Sequence, residues 1–183
     1  LEYFRLGATT ISQNGRYLAY SIDNTGSERY TARVKDLKTG QLLPDVLENL
    51  RGNLVWVAND TALVYGPANE EWRTLEAKLH VLGTPNTDDV TLYQEQDQSF
   101  GVGTSLSAQD DWLLIATGDH ETTEVWMVPA ANPTAEPILV KARQKGVEYQ
   151  VDIRDGELFV LTNDTHVNFR LARANLAKPK VWQ

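Results

Sequence analysis

The stretch 11-ISQNGRYLAYSIDNTGSERYTARVKDLKTG-40 decides how this chain is read. It holds two short apolar runs, Arg16 to Ile22 and Tyr30 to Leu37, each fenced by residues that favour turns. Asn14-Gly15 precedes the first run, Asp23-Asn24-Thr25-Gly26 separates the two, and Lys38-Thr39-Gly40 closes the second. Such clusters supply the positive-φ positions that hairpins need, so the stretch is an antiparallel hairpin. A lone hairpin is marginal in water, and this one must stack on others like it.

The rest of the chain supplies them. YLAYS at Tyr17 to Ser21, ALVYG at Ala62 to Gly66, WLLIA at Trp112 to Ala116 and ELFVL at Glu157 to Leu161 each follow a polar turn, namely SQNG, ANDT, SAQDD and IRDG. Leu18, Leu63, Leu114 and Phe159 mark the repeat, at intervals of 45, 51 and 45 residues. Propeller blades recur at roughly 40 to 50 residues. Four short strands fit each period: Ala8–Ile11, Arg16–Ile22, Tyr30–Leu37 and Gln41–Leu47; Asn53–Val57, Ala62–Gly66, Leu75–Leu82 and Thr91–Gln96; Gly101–Ser107, Trp112–Thr117, Glu124–Val128 and Glu136–Val140; Val147–Ile153, Glu157–Thr162, Asn168–Ala174 and a stub at Val181–Gln183. The only helix-like run, Pro44 to Leu50, sits where a fourth strand is due and is read as strand or irregular; Pro129 to Pro137 is a loop inside a unit. The expected fold is therefore all-β: a partial β-propeller of about four blades, each a four-stranded antiparallel sheet, with units at about 8–50, 51–98, 99–145 and 146–183. A β-sandwich is the competing architecture, and the regular spacing favours the propeller.

Composition narrows the partners. The 183 residues can bury a core without disulfides or metals, and the absence of Cys removes thiolate sites and a Cys nucleophile. A net charge of −8 has the wrong sign for a phosphate-binding surface, and no apolar run approaches the roughly 20 residues of a membrane-spanning helix, so neither nucleic acid nor a membrane is expected. The opening Leu1-Glu2-Tyr3-Phe4-Arg5 resembles neither a signal peptide nor a translation start and is read as belonging to an excised or processed piece. An open array of blades would leave apolar end faces through which the chain is expected to self-associate.

Searches for chemistry return little. No GxSxG is present; Gly103-Thr104-Ser105-Leu106-Ser107 lacks the final Gly and falls in an inner strand. Gly101-Val102-Gly103 starts a GxG with neither a third Gly nor a following helix, which dismisses a dinucleotide site. His80, His120 and His166 lack partners at metal-ligand spacing, and no cofactor is expected. The pairs Glu70-Glu71, Asp88-Asp89 and Asp110-Asp111 are read as solvated turns, the sequons at Asn59 and Asn163 as chance, and Trp56, Trp72, Trp112, Trp126 and Trp182 as core between blades.

Longer strings carry a family likeness. Ser21-Ile22-Asp23, Gly26-Ser27-Glu28-Arg29-Tyr30, Arg33-Val34-Lys35-Asp36-Leu37, Val55-Trp56, His80-Val81-Leu82-Gly83-Thr84, Tyr93-Gln94-Glu95-Gln96-Asp97, Gly118-Asp119-His120, Thr123-Glu124-Val125-Trp126, Arg143 and Leu161-Thr162-Asn163 resemble, in order, the propeller of oligopeptidase B, or protease II, of the prolyl oligopeptidase family. Ser12-Gln13-Asn14-Gly15 replaces an expected SPDG turn, Arg73-Thr74 an Arg-Pro pair, and Ile153 an expected His. The resemblance implies a seven-bladed propeller over an α/β-hydrolase domain that cleaves short peptides after Lys or Arg, in the cytoplasm. Nothing here matches that hydrolase domain, so no catalytic residue carries over and the fragment is expected to be inactive alone; the partners implied are that domain and short peptides. The loops joining second and third strands should share one rim, which nominates Asp23, Glu28, Asp119 and His120 as residues facing the hydrolase domain. A stand-alone binding or scaffold propeller is the rival reading, with a carbohydrate-active one behind it for want of an inward carboxylate pair.

Overall fold

Successive side chains of a strand point to opposite faces of its sheet, and here both faces are apolar. In β5 (Ala62–Pro67), Leu63 and Tyr65 enter one core while Ala62 and Val64 enter another. The computed structural model, which describes residues 3–183, shows sheets stacked face to face with a core at every seam.

The first blade consists of β1 (Arg5–Ile11), β2 (Tyr17–Asp23), β3 (Tyr30–Asp36) and the first half of β4 (Leu42–Val57). The second half of β4 opens the second blade, followed by β5, β6 (Glu76–Val81) and β7 (Val90–Gln94), so that β1 to β7 form one seven-stranded antiparallel sheet in chain order. The third blade is β8 (Gly101–Leu106), β9 (Trp112–Gly118), β10 (Thr123–Pro129) and β11 (Ile138–Lys141); the fourth is β12 (Tyr149–Arg154), β13 (Glu157–Thr162) and β14 (Arg170–Asn175). Among the described residues, helix is confined to a 3-10 turn at Asn86–Asp88, and no helix is long and apolar enough to cross a membrane.

Two details differ from the strands expected. The runs Gln41–Leu47 and Asn53–Val57 are not separate: β4 passes through both, and the Pro44 to Leu50 segment is strand. Asn49 at φ 60° and Gly52 at φ 108° bend it, and the register with β5 shifts between Leu50 and Leu54, so one strand serves as the outer edge of one blade and the inner edge of the next. The stub before Gln183 is not a strand of its own, yet Gln183 exchanges two backbone hydrogen bonds with Arg173, at 3.0 and 2.9 Å, along the edge of β14.

Burial follows the seams. Ala32, Val34, Leu47, Leu54 and Trp56 pack between the first two blades; Val55, Val64, Leu79, Leu113 and Ile115 between the second and third; Leu114, Met127, Val140, Ile153, Leu158 and Val160 between the third and fourth. Of the tryptophans, Trp56 is buried and gives its indole N–H to Thr10 O at 3.2 Å; Trp112, Trp126 and Trp182 pack partly buried against seams, but Trp72 is 45% exposed. Polar turns fasten neighbouring blades as well: the Asp60 carboxylate accepts the N–H groups of Gln13 and Asn14, both at 2.9 Å, and Asp152 accepts that of Ala108 at 2.8 Å. Large apolar side chains remain exposed at the ends of the stack, Phe4, Leu6 and Ile11 at one and the cross-strand pair Leu161 and Leu171 at the other.

Candidate functional site

Because strands within a blade alternate in direction, second and fourth strands end at the same edge. Loops from second to third strand therefore share a rim with the connections between blades. Hydrogen bonds run along it: the Trp72 indole N–H donates to Ser27 O at 2.9 Å, Arg29 Nη2 to Asn69 O at 3.0 Å, Gly146 N to Thr122 Oγ1 at 3.2 Å, and Asn163 Nδ2 to Gly146 O at 3.2 Å.

The four nominated residues lie on this rim in two separate loops, with the Asn69 to Arg73 loop of the second blade between them. They differ in what they present. Asp23 is 1% exposed, and its carboxylate is turned into its own loop, where it accepts the N–H groups of Thr25 (2.9 Å), Gly26 (3.0 Å) and Glu28 (2.8 Å) and the Thr25 hydroxyl. Burial pushes this carboxyl up, but those donors outweigh it and hold it below the usual aspartate range. Asp23 is thus the residue that shapes the loop, while Glu28, in the left-handed region at φ 58°, is carried outward and reaches Arg5 at 3.6 Å. In the third blade Asp119 accepts the N–H groups of Glu121 and Thr122, at 2.9 and 2.8 Å, and remains exposed beside exposed His120.

Two clusters absent from the sequence reading are more elaborate than the rim itself. Glu95, after β7, and Arg143, after β11, lie in successive connections between blades. Arg143 Nη2 donates to Glu95 Oε2 at 2.6 Å and Glu124 Oε1 at 3.3 Å, its backbone N–H reaches Glu124 Oε2 at 2.9 Å, and its guanidinium lies 4.3 Å from the centre of the Phe100 ring. Glu95 also accepts the Thr117 hydroxyl at 2.6 Å and the N–H groups of Gln96 and Asp97. Burial raises the Glu95 carboxyl; the Arg143 guanidinium and Thr117 hydroxyl more than offset this and bring it to about 2. One arginine thereby ties the end of the second blade to the third at the mouth of the fourth.

The second cluster gathers acids around His80 and corrects the reading of Asp88-Asp89 as a solvated turn, since the Asp89 side chain is buried. His80 is fully buried, with Nδ1 2.7 Å from Asp89 Oδ1 and Nε2 3.0 Å from Asp45 Oδ1. Tyr65 donates its hydroxyl to Asp89 Oδ2 at 2.7 Å, and Gly83 its N–H to Asp45 at 2.5 Å, while Asp45 Oδ2 is buried without a protein partner. Both ring nitrogens lie within hydrogen-bond reach of a carboxylate, so the imidazole bridges Asp45 and Asp89. Burial, then the Asp89 carboxylate, push the Tyr65 phenol up. Asp45 belongs to the first-blade half of β4 and the other three to the second blade, so this cluster locks the first two blades. Among the described residues no group of three His, Asp or Glu is placed to hold a metal ion.

The family model described as prolyl oligopeptidase, N-terminal beta-propeller domain, matches residues 2–183. The chain belongs to that family. The propeller is 37% identical over 175 residues to dipeptidyl aminopeptidase BI of Pseudoxanthomonas mexicana, covering 94% of this chain and 24% of the relative, and 28% identical to protease 2 of Moraxella lacunata, covering 96% and 26%. Oligopeptidase B from Leishmania major superposes on it with a TM-score of 0.93 at 28% identity, over 99% of this chain and 26% of that one. The chain thus spans about a quarter of the length of these relatives.

Proposed function

We propose that this chain forms part of the gating propeller of a serine oligopeptidase that cleaves short peptides after Lys or Arg. The observation that carries the proposal is the end-to-end likeness to the propeller of oligopeptidase B at 28% identity. A propeller restricts by steric exclusion: its ring admits flexible peptides and turns away folded chains, while the bond is broken in a hydrolase domain. The exposed apolar faces at both ends of the stack are those that further blades would cover.

The 37% identity to a dipeptidyl aminopeptidase favours a second reading, in which the substrate is recognised by its free amino terminus. Assaying the full-length protein on Arg substrates with blocked and with free amino termini separates the two. Turnover of the blocked substrate is the expected result; turnover of free-amine dipeptidyl substrates alone supports the second reading, and none at all supports a binding or scaffold propeller.

We further propose that Glu28, Asp119 and His120 face the hydrolase domain, with Asp23 holding the Glu28 loop in shape. Each charge change, Glu28→Lys, Asp119→Lys or His120→Glu, is expected to shift kcat/KM by up to roughly fivefold, the size of about 1 kcal/mol from a partly exposed charge contact. Steady-state kinetics at low and high salt check this, and wild-type values across the set end the idea.

A further inference from the structure

We propose that the Gly101-Val102-Gly103 run of β8 is a contact site for extended peptide on the inner wall of the propeller; this rests on the peptidase reading above. Ten of the twelve glycines have an evident structural reason. Gly15, Gly26, Gly40, Gly52, Gly83, Gly146 and Gly156 lie in the left-handed region. Gly7, Gly66 and Gly118 are crowded: a Cβ would meet Ser21 Oγ at 2.6 Å, the Thr74 methyl, and Thr122 O at 2.6 Å, respectively. Gly101 and Gly103 have neither reason. Neither has a left-handed φ, a Cβ on Gly103 would meet nothing within 4 Å, and one on Gly101 would touch only Gly118 O, at 4.0 Å.

Glycine inside a strand gives up conformational entropy and packs nothing, so a pair that the fold does not require points to another backbone approaching closely. The surroundings fit that visitor. Among the described strands β8 pairs only with β9, leaving its other edge without a partner strand. On that edge Val102 gives its N–H to Thr74 O at 2.8 Å, and antiparallel alternation then turns the N–H and C=O of Thr104 the same way. They border a cleft of about 530 Å³ between the second and third blades, lined also by Arg51, Trp72 and Arg73. The exposed Trp72 ring is anchored by its bond to Ser27 O and by the Arg29 guanidinium 4.8 Å from its centre. A strand edge that no strand covers beyond the one bond to Thr74 O, with glycine on either side of Val102 and an aromatic ring beside it, suits the main chain of an extended peptide.

The test uses the full-length protein and an uncleavable octapeptide of Gly and Ser with a reduced bond after its single Arg. Gly103→Val, placed where the backbone is extended and the space empty, is expected to leave the melting temperature within about 2 °C of wild type. It should weaken octapeptide binding by about tenfold, the cost of losing a main-chain pairing. Trp72→Ala, at an exposed side chain, should weaken the octapeptide in the same direction. Octapeptide Kd values equal to wild type in both variants overturn the site, even where short Arg substrates are cleaved. Octapeptide binding that Gly103→Val weakens, in a protein that cleaves no Arg substrate, leaves the site standing and removes the peptidase reading instead.

Discussion

Replacing Arg143 with Met is expected to cost roughly 3–5 kcal/mol of stability, because it leaves Glu95 and Glu124 buried without their shared cation. Truncating one side of a buried ion pair is far more damaging than the net worth of the pair, since the remaining charge keeps its desolvation penalty. Adding Glu95→Gln to the Arg143→Met background should recover part of the loss. Acid carries an independent signature. The folded Glu95 carboxyl sits at about 2, below its ordinary value of 4.5, so its contribution is complete above pH 4.5 and is lost as pH falls from there through 2. That step is worth roughly 3 kcal/mol in the wild type, and removing Arg143 should shrink it, so the two proteins converge in stability on acidification. Denaturant unfolding at several pH values checks both statements; parallel curves would exclude Arg143 as the cause of the low value.

A comparable loss, again about 3–5 kcal/mol, is expected for His80→Phe, which fills the site but leaves Asp45 and Asp89 facing an apolar ring. Asp45 already has one orphaned oxygen, so removing its imidazole partner leaves Gly83 N–H as the remaining donor to that carboxylate. The neutralised variant Asp45→Asn/His80→Phe/Asp89→Asn should be more stable than His80→Phe alone. Urea unfolding of the three proteins measures this; a single substitution costing under about 1 kcal/mol would mean that the cluster is not what joins the first two blades.

What could be read from the chain follows from how local each signal is. The blades were legible because each hairpin carries its own turn chemistry beside its own apolar strand, and because the intervals between Leu18, Leu63, Leu114 and Phe159 are nearly constant. The continuity of β4 was not, since Asn49 and Gly52 look like loop residues until they are seen bending a strand that two blades share. Rim loops could be nominated from topology, but Asp23 and Glu28 could not be told apart: both are acids in one turn, and only the folded loop shows which is spent on backbone N–H groups. His80 and Asp45 lie 35 residues apart, and Glu95 and Arg143 48, with no periodicity linking them; these clusters exist only because blades stack. Gly101 and Gly103 were visible as a GxG, yet their meaning depends on finding that nothing nearby requires glycine.

We propose that this propeller selects substrates by size for a peptidase. The most direct measurement is hydrolysis, by the full-length protein, of one Arg-containing sequence presented as a free short peptide and as an exposed loop of a folded protein. Cleavage of the peptide and none of the folded protein is the expected result. Equal cleavage of both, or cleavage of neither, would contradict it.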